Sequence, residues 1–257
     1  MSRSWAATGF LLLNAALMLA LVFVRFSWAG FLPEACGLRN CYCESFRSGY
    51  LVLQPVNALS NLGYVLVGAL ILGSRGLGSE PAPRRFTRWF GAAAVITGWC
   101  SYLSHASLTR LGEWLDLMGI YQLLLVLLVY SLHRLTGKNW NRLFLTGIIL
   151  GALQMAFWPV GQQAVIGLLI AGWAVAEFAA RRRLLHGEQS PKGEKRFTIL
   201  AVLLFAAGAG IWAVNGRSPE CPPGSFYWHV AWHLLSAAAF GSLYLFFQSE
   251  ARPRKLT

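Results

Sequence analysis

The chain has 257 residues, of which 56% are hydrophobic and only 12% charged, about half the charged share of an ordinary soluble domain. That balance excludes a water-soluble globular domain, and continuous apolar runs without alternation exclude a lipid-facing β-barrel. A net charge of +12 does not point to nucleic acid here, because the cations sit in short loops between apolar runs, where they orient a membrane protein and meet anionic lipid.

The fold class expected is all-α, a polytopic transmembrane helix bundle. Eight spans are predicted, over residues 9–24, 56–73, 89–106, 114–132, 143–158, 163–180, 197–214 and 227–247. With the N-terminus inside, Arg25, Arg39, Arg47, Arg110 and Arg217 are the outer cations, and the other 17 of the 22 Lys and Arg fall on the inner side. This asymmetry predicts both termini on the cytoplasmic side. The first run is long for a signal peptide, and no small-x-small cleavage site follows it. Residues 1–30 are therefore read as a retained anchor helix ahead of a membrane domain over 31–257.

The longest non-apolar stretch, residues 25–55, is predicted to fold over the mouth of the bundle. Cys36, Cys41, Cys43 and Cys221 fall on the outer face and Cys100 inside a span. Outer thiols meet an oxidising compartment, and the pairing expected is Cys221 with Cys41 or Cys43. Unpaired loop cysteines are the alternative.

Ionisable groups inside a membrane are costly and mark functional sites. His133 and His186 fall in inner loops, whereas His105, His229 and His233 fall within spans, and the one aspartate, Asp116, begins the fourth span. The third span runs outward and the fourth and eighth inward, so all four groups reach one depth just beneath the outer face. His229 and His233 are one helical turn apart on one face, a spacing that lets two imidazoles share a metal ion. Ser101 lies one turn before His105. Three imidazoles with an open fourth position suit catalytic Zn²⁺. Asp116 is then placed to hold or deprotonate water, and Ser101 to donate to a developing oxyanion. The competing reading is that these histidines only hydrogen-bond between helices.

At these residues the sequence resembles the alkaline ceramidase family of membrane zinc hydrolases. The pattern of a serine four residues before a histidine, a later aspartate and a late HxxxH is matched by Ser101 to His105, Asp116, and His229 to His233. The run from Gln54 to Leu62 resembles the lead-in to that family's first core helix. The likeness covers roughly residues 41–247. It implies a seven-helix core, here with one extra N-terminal transmembrane helix, and hydrolysis of the amide bond of ceramide to a sphingoid base and a fatty acid. It also implies His105, His229 and His233 as zinc ligands, with Ser101 and Asp116 catalytic. Members with calcium next to the zinc use several acidic ligands. Here one carboxylate, Glu44, stands with Asn40, Gln54 and Asn57, which makes at most a weak calcium site.

Among other residues, Trp232 and Trp212 are candidates for substrate contact, with membrane anchoring or helix packing as the alternatives. Glu113 suits the positive end of a helix, and Glu177 is expected to pair with Arg181 at i+4. The substrate expected is a ceramide-like membrane lipid, with no nucleic acid and no obligate protein partner. Two other functions share the same site: a membrane lipid ester hydrolase, and a zinc- and lipid-binding receptor or sensor. A haem protein fits worst, since two histidines one turn apart would crowd one haem.

Overall fold

A computed structural model describes residues 3–34, 42–74, 81–157, 162–185, 193–215 and 226–250. Within them every regular element is a helix, apart from two isolated β-bridges. In chain order these are α1 (Arg3–Leu21), α2 (Pro55–Ser60), α3 (Leu62–Gly73), α4 (Pro81–Ser107), α5 (Arg110–Thr136), α6 (Trp140–Phe157), α7 (Gln162–Leu185), α8 (Lys195–Asn215) and α9 (Phe226–Glu250).

Among the described residues, five spans are long and apolar enough to cross a membrane: Pro55–Gly73, which joins α2 and α3 through Asn61, Arg110–Thr136, Ala164–Arg183, Lys195–Ala213 and Trp228–Glu250. The sequence predicts eight. The apolar part of α1, Trp5–Leu21, is shorter and ends three residues before the expected Val24. Helix α4 carries Arg84, Arg85 and Arg88 near its start and Ser101, Ser104 and His105 near its end, and α6 opens on Asn141 and Arg142. Polar residues thus dilute the two of these helices that bound the site or begin on a basic loop.

Helix α1 is docked on the bundle. Met18 and Val22 are buried with Val52, Ala58, Val65, Tyr102 and Ala106, a contact held by van der Waals packing where lipid is as apolar as the side chains. Two polar contacts fix its register: Trp99 donates to Asn14 Oδ1 at 2.8 Å and Tyr102 Oη to the Met18 carbonyl at 2.7 Å. Helices α3 and α4 meet at backbone distance. A Cβ on Gly68 would lie 2.6 Å from the Gly91 carbonyl oxygen and from Val95 Cγ2, the close approach small residues permit between membrane helices.

A larger cluster fills the far half of the bundle, with Phe86, Phe90, Leu123, Leu127, Tyr130 and Phe247 among its members. Beyond it the C-terminal ends of α5, α7 and α9 meet in a charged knot. Glu177 accepts from Arg134 and Arg181, each at 3.0 Å, and Glu250 accepts from Arg181 at 2.6 Å and Arg134 at 3.4 Å. The expected Glu177–Arg181 pair is therefore one edge of a four-residue network. His233 and Glu250 are 17 residues apart on α9, about 25 Å of helix, so this knot stands nearly a hydrocarbon thickness from the histidines.

At the histidine end, residues 22–34 and 42–54 cross the tips of α4 and α5. Leu53 and Gln54 donate backbone N–H groups to Ala106 and His105, and Glu34 donates to Leu108. Pro33 bridges to Thr109 and Arg25 to Tyr50. The Arg25 and Arg47 guanidinium groups lie 4.0 and 3.9 Å from the centre of the Tyr50 ring, each worth about 0.5–1 kcal/mol.

Candidate metal centre

The start of α9 and the end of α4 bring His229, His233 and His105 together. One ring nitrogen from each lies within 4.8 Å of the other two, and no carboxylate or thiol joins the group among the described residues. His105 and His233 are buried, with 2% and 3% of their surface exposed, and His229 is partly buried. The His229 and His105 Nε2 atoms are 3.1 Å apart. Two ligands of a tetrahedral ion at ~2.05 Å are roughly 3.3 Å apart, so the spacing fits a shared cation.

The outer nitrogens are already committed. His105 Nδ1 lies 3.2 Å from Gln54 Oε1, while Gln54 Nε2 donates to the Glu44 carbonyl at 2.8 Å. The amide is thus oriented oxygen-first toward the imidazole, which makes Nδ1 the protonated nitrogen and turns the Nε2 lone pair inward. His233 Nδ1 is 2.6 Å from Ser60 Oγ, whose hydroxyl donates to the Asn57 carbonyl at 2.6 Å. With the hydroxyl proton directed to Asn57, Nδ1–H of His233 is assigned as the donor to Ser60 Oγ, which leaves its lone pair on Nε2. Partners of this kind set the tautomer and ring angle of metal-binding histidines. The donor set, three neutral imidazoles and nothing else, suits Zn²⁺ with one open position.

Ser101 is buried on α4, one turn before His105, and lies within hydrogen-bonding reach of Asp116 on α5. Asp116 is not among the groups clustered with the histidines, and its partner on α4 is Ser101. Tyr42 covers the site, its ring 4.6 Å from His105 and 4.5 Å from His229, centre to centre. The next residue, Cys43, has a left-handed φ of 55°, uncommon for a residue with a side chain, and it is disulfide-bonded. Cys41 and Cys221, the other two cysteines of the expected pairing, lie outside the described residues, as do Cys36 and Asn40.

Three of the four residues weighed for calcium, Glu44, Gln54 and Asn57, have other contacts. Both Glu44 carboxylate oxygens accept backbone N–H groups at the start of α2, from Val56 at 2.8 Å and Asn57 at 2.7 Å, where the helix offers unpaired donors and positive potential. Gln54 braces His105, and Asn57 donates to the Tyr42 carbonyl at 3.3 Å, leaving its Oδ1 buried without a hydrogen bond. Trp232 lies between the two α9 histidines in sequence but packs toward α8, beside Gly208, Phe205 and Trp212. Glu113 is half-buried in the first turn of α5.

Tyr42, Ser60 and Glu34 are the site residues that sequence reading passes over. Ser60 stands in the same run as Gln54 and was legible only as motif context. Glu34 has no motif at all. It is 4% exposed, and neither carboxylate oxygen has a hydrogen-bond partner among the described residues. Burial, then the charges of Glu113 and Asp116, push its pKa up to about 8. Burial likewise holds the Tyr42 hydroxyl well above its ordinary range.

Fold and site together define an all-helical protein with membrane-spanning helices and a buried three-histidine site able to hold a metal ion. No protein-family model matches the chain, and no curated protein matches it either.

Proposed function

We propose that the protein is a membrane-embedded zinc hydrolase that cleaves the amide bond of ceramide or a related N-acyl lipid, with the seven-helix core and extra N-terminal helix its sequence resemblance implies. The observation that carries this reading is the trio of imidazole nitrogens within 4.8 Å, two of them already oriented by Gln54 and Ser60.

Bound there, Zn²⁺ supplies Lewis acidity to a carbonyl oxygen and to water. The remaining chemistry belongs to the chain. Asp116 takes the proton of the attacking water, and the Ser101 hydroxyl donates to the oxygen on which negative charge develops. Tyr42 and the segments around it cover the centre against bulk water, which strengthens each of these interactions. An apolar groove of about 350 Å³, lined by Phe31, Leu32, Thr109, Leu111 and Trp114 among others, lies beside the start of α5 and is suited to an alkyl chain. The charge asymmetry of the loops favours a site at the extracytoplasmic face with both termini cytoplasmic.

The test is incubation of purified protein with a panel of N-acyl and ester lipids, with and without a zinc chelator. Fatty acid released from the amides, and abolished by the chelator and by His233→Ala, supports the amidase. Release from the esters alone favours an ester hydrolase. A folded, zinc-loaded protein that turns over none of them overturns the hydrolase reading in favour of a sensor.

A further inference from the structure

Among the described residues, nothing employs the Glu34 carboxyl structurally. It is 4% exposed, and neither oxygen has a hydrogen-bond partner among the described residues, a costly arrangement for a buried polar group. It does not cap α5, because Thr109 Oγ1 already accepts the Gly112 N–H there at 3.1 Å. Yet the backbone holds it firmly. Glu34 N donates to the Leu108 carbonyl, Arg110 N donates to the Leu32 carbonyl, and Pro33 bridges to Thr109. The ionisable groups around it are Glu113 and Asp116 on α5 and Tyr42, and Tyr42 rests on His105 and His229. A buried carboxyl whose backbone is pinned to Leu108, three residues after His105, has the pattern of a functional residue.

We propose that Glu34 is the acid that protonates the departing nitrogen when the site cleaves an N-acyl lipid, with Asp116 returning the proton to it afterwards; this rests on the hydrolase reading. Amide nitrogen leaves only when protonated, and Asp116, engaged with Ser101, is the group that first takes the proton of water. Water adds to the carbonyl carbon as its proton passes to Asp116. The C–N bond then breaks with its electron pair going to nitrogen, which takes the Glu34 proton and departs as a neutral amine. The proton on Asp116 passes to the Glu34 carboxylate, so one water is consumed and both side chains are restored. A carboxyl raised to about 8 carries its proton at neutral pH.

The experiment compares an N-acyl sphingoid base with a p-nitrophenyl ester of the same acyl group, whose leaving group departs without protonation. Glu34→Gln keeps the size of the side chain but removes its transferable proton. Amide turnover is expected to fall about 100-fold or more while ester turnover stays within about threefold, and Glu34→Asp to recover part of the amide rate. Equal losses on both substrates, or no loss on the amide, overturn the role alone. Wild-type protein that cleaves neither substrate overturns the hydrolase reading and this role with it. A second readout needs no turnover. The infrared difference spectrum between about pH 6 and about pH 10 should contain a carboxylic-acid carbonyl band that is missing in Glu34→Gln. A wild-type spectrum identical to that of the variant overturns the proposal.

Discussion

Gln54 and His105 are 3.2 Å apart, Oε1 to Nδ1, and the direction of that contact is set by Glu44, whose carbonyl takes the other end of the amide at 2.8 Å. The arrangement leaves His105 one usable lone pair, on Nε2, facing His229. Gln54→Leu removes the acceptor and strands a buried N–H. It is expected to weaken Zn²⁺ binding about 10–100-fold, the usual cost of losing such a partner. Competition against a chromophoric chelator measures it, and unchanged affinity would refute the assigned tautomer.

His233 and Ser60 make a graded pair. His233→Ala removes a ligand and should abolish stoichiometric zinc, read by elemental analysis of purified protein. Ser60→Ala keeps the ligand but loses the 2.6 Å contact that orients it, so zinc should remain and bind severalfold less tightly. Equal losses from the two variants would mean that the serine holds up the fold rather than the imidazole.

The histidine centre was legible because its signal is chemical. An apolar chain places few ionisable groups in its helices, so His105, His229 and His233 stood out, and the structure brings those three together. The braces were not legible. Ser60 and Gln54 are ordinary polar residues whose roles depend on which imidazole lies opposite, and Glu44 reads as a cation ligand until its oxygens are seen on the N–H groups of Val56 and Asn57. The docking of α1 escaped as well, since Asn14 and Met18 meet α4 through two contacts that no periodicity announces. Glu250 and Arg134, 116 positions apart in sequence, joined Glu177 for the same reason.

Glu177 holds two arginines and also accepts from Ser131 at 2.7 Å, with its side chain 10% exposed. Glu177→Ala leaves Arg134 buried with one remaining partner. Removing one member of a buried pair costs about 3–5 kcal/mol, so the melting temperature in detergent should fall markedly. Because the network lies far from the histidines, zinc affinity of the folded fraction should be unchanged. A variant that melts like wild type would show that solvent compensates the charge.

At Gly68 the backbones of α3 and α4 touch, and a methyl group would lie 2.6 Å from the Gly91 oxygen. Gly68→Ala must therefore push the helices apart, an overpacking cost of about 1–3 kcal/mol. The same two helical units carry Gln54, Ser60 and His105, so lowered thermal stability should come with weaker zinc binding. Stability lost without any change in zinc affinity would place the strain away from the site.

Glu34 predicts the direction in which pH acts on stability. Its pKa is raised from 4.5 to about 8 in the fold, so between those values the unfolded chain has released a proton that the folded chain still holds. The folded state then binds more protons, and stability falls as pH rises. The loss begins near the unfolded value of about 4.5, levels off above about 8, and amounts to a few kcal/mol. Glu34→Gln removes this penalty. At about pH 8.5 the variant should melt above wild type, whereas at about pH 3, below both values, where the wild-type side chain is neutral folded and unfolded, the two should coincide. Stabilisation at high pH with loss of amide turnover would mark a group kept at the expense of stability for its chemistry. Stabilisation of equal size at both pH values would instead show that the carboxyl never titrates across this range.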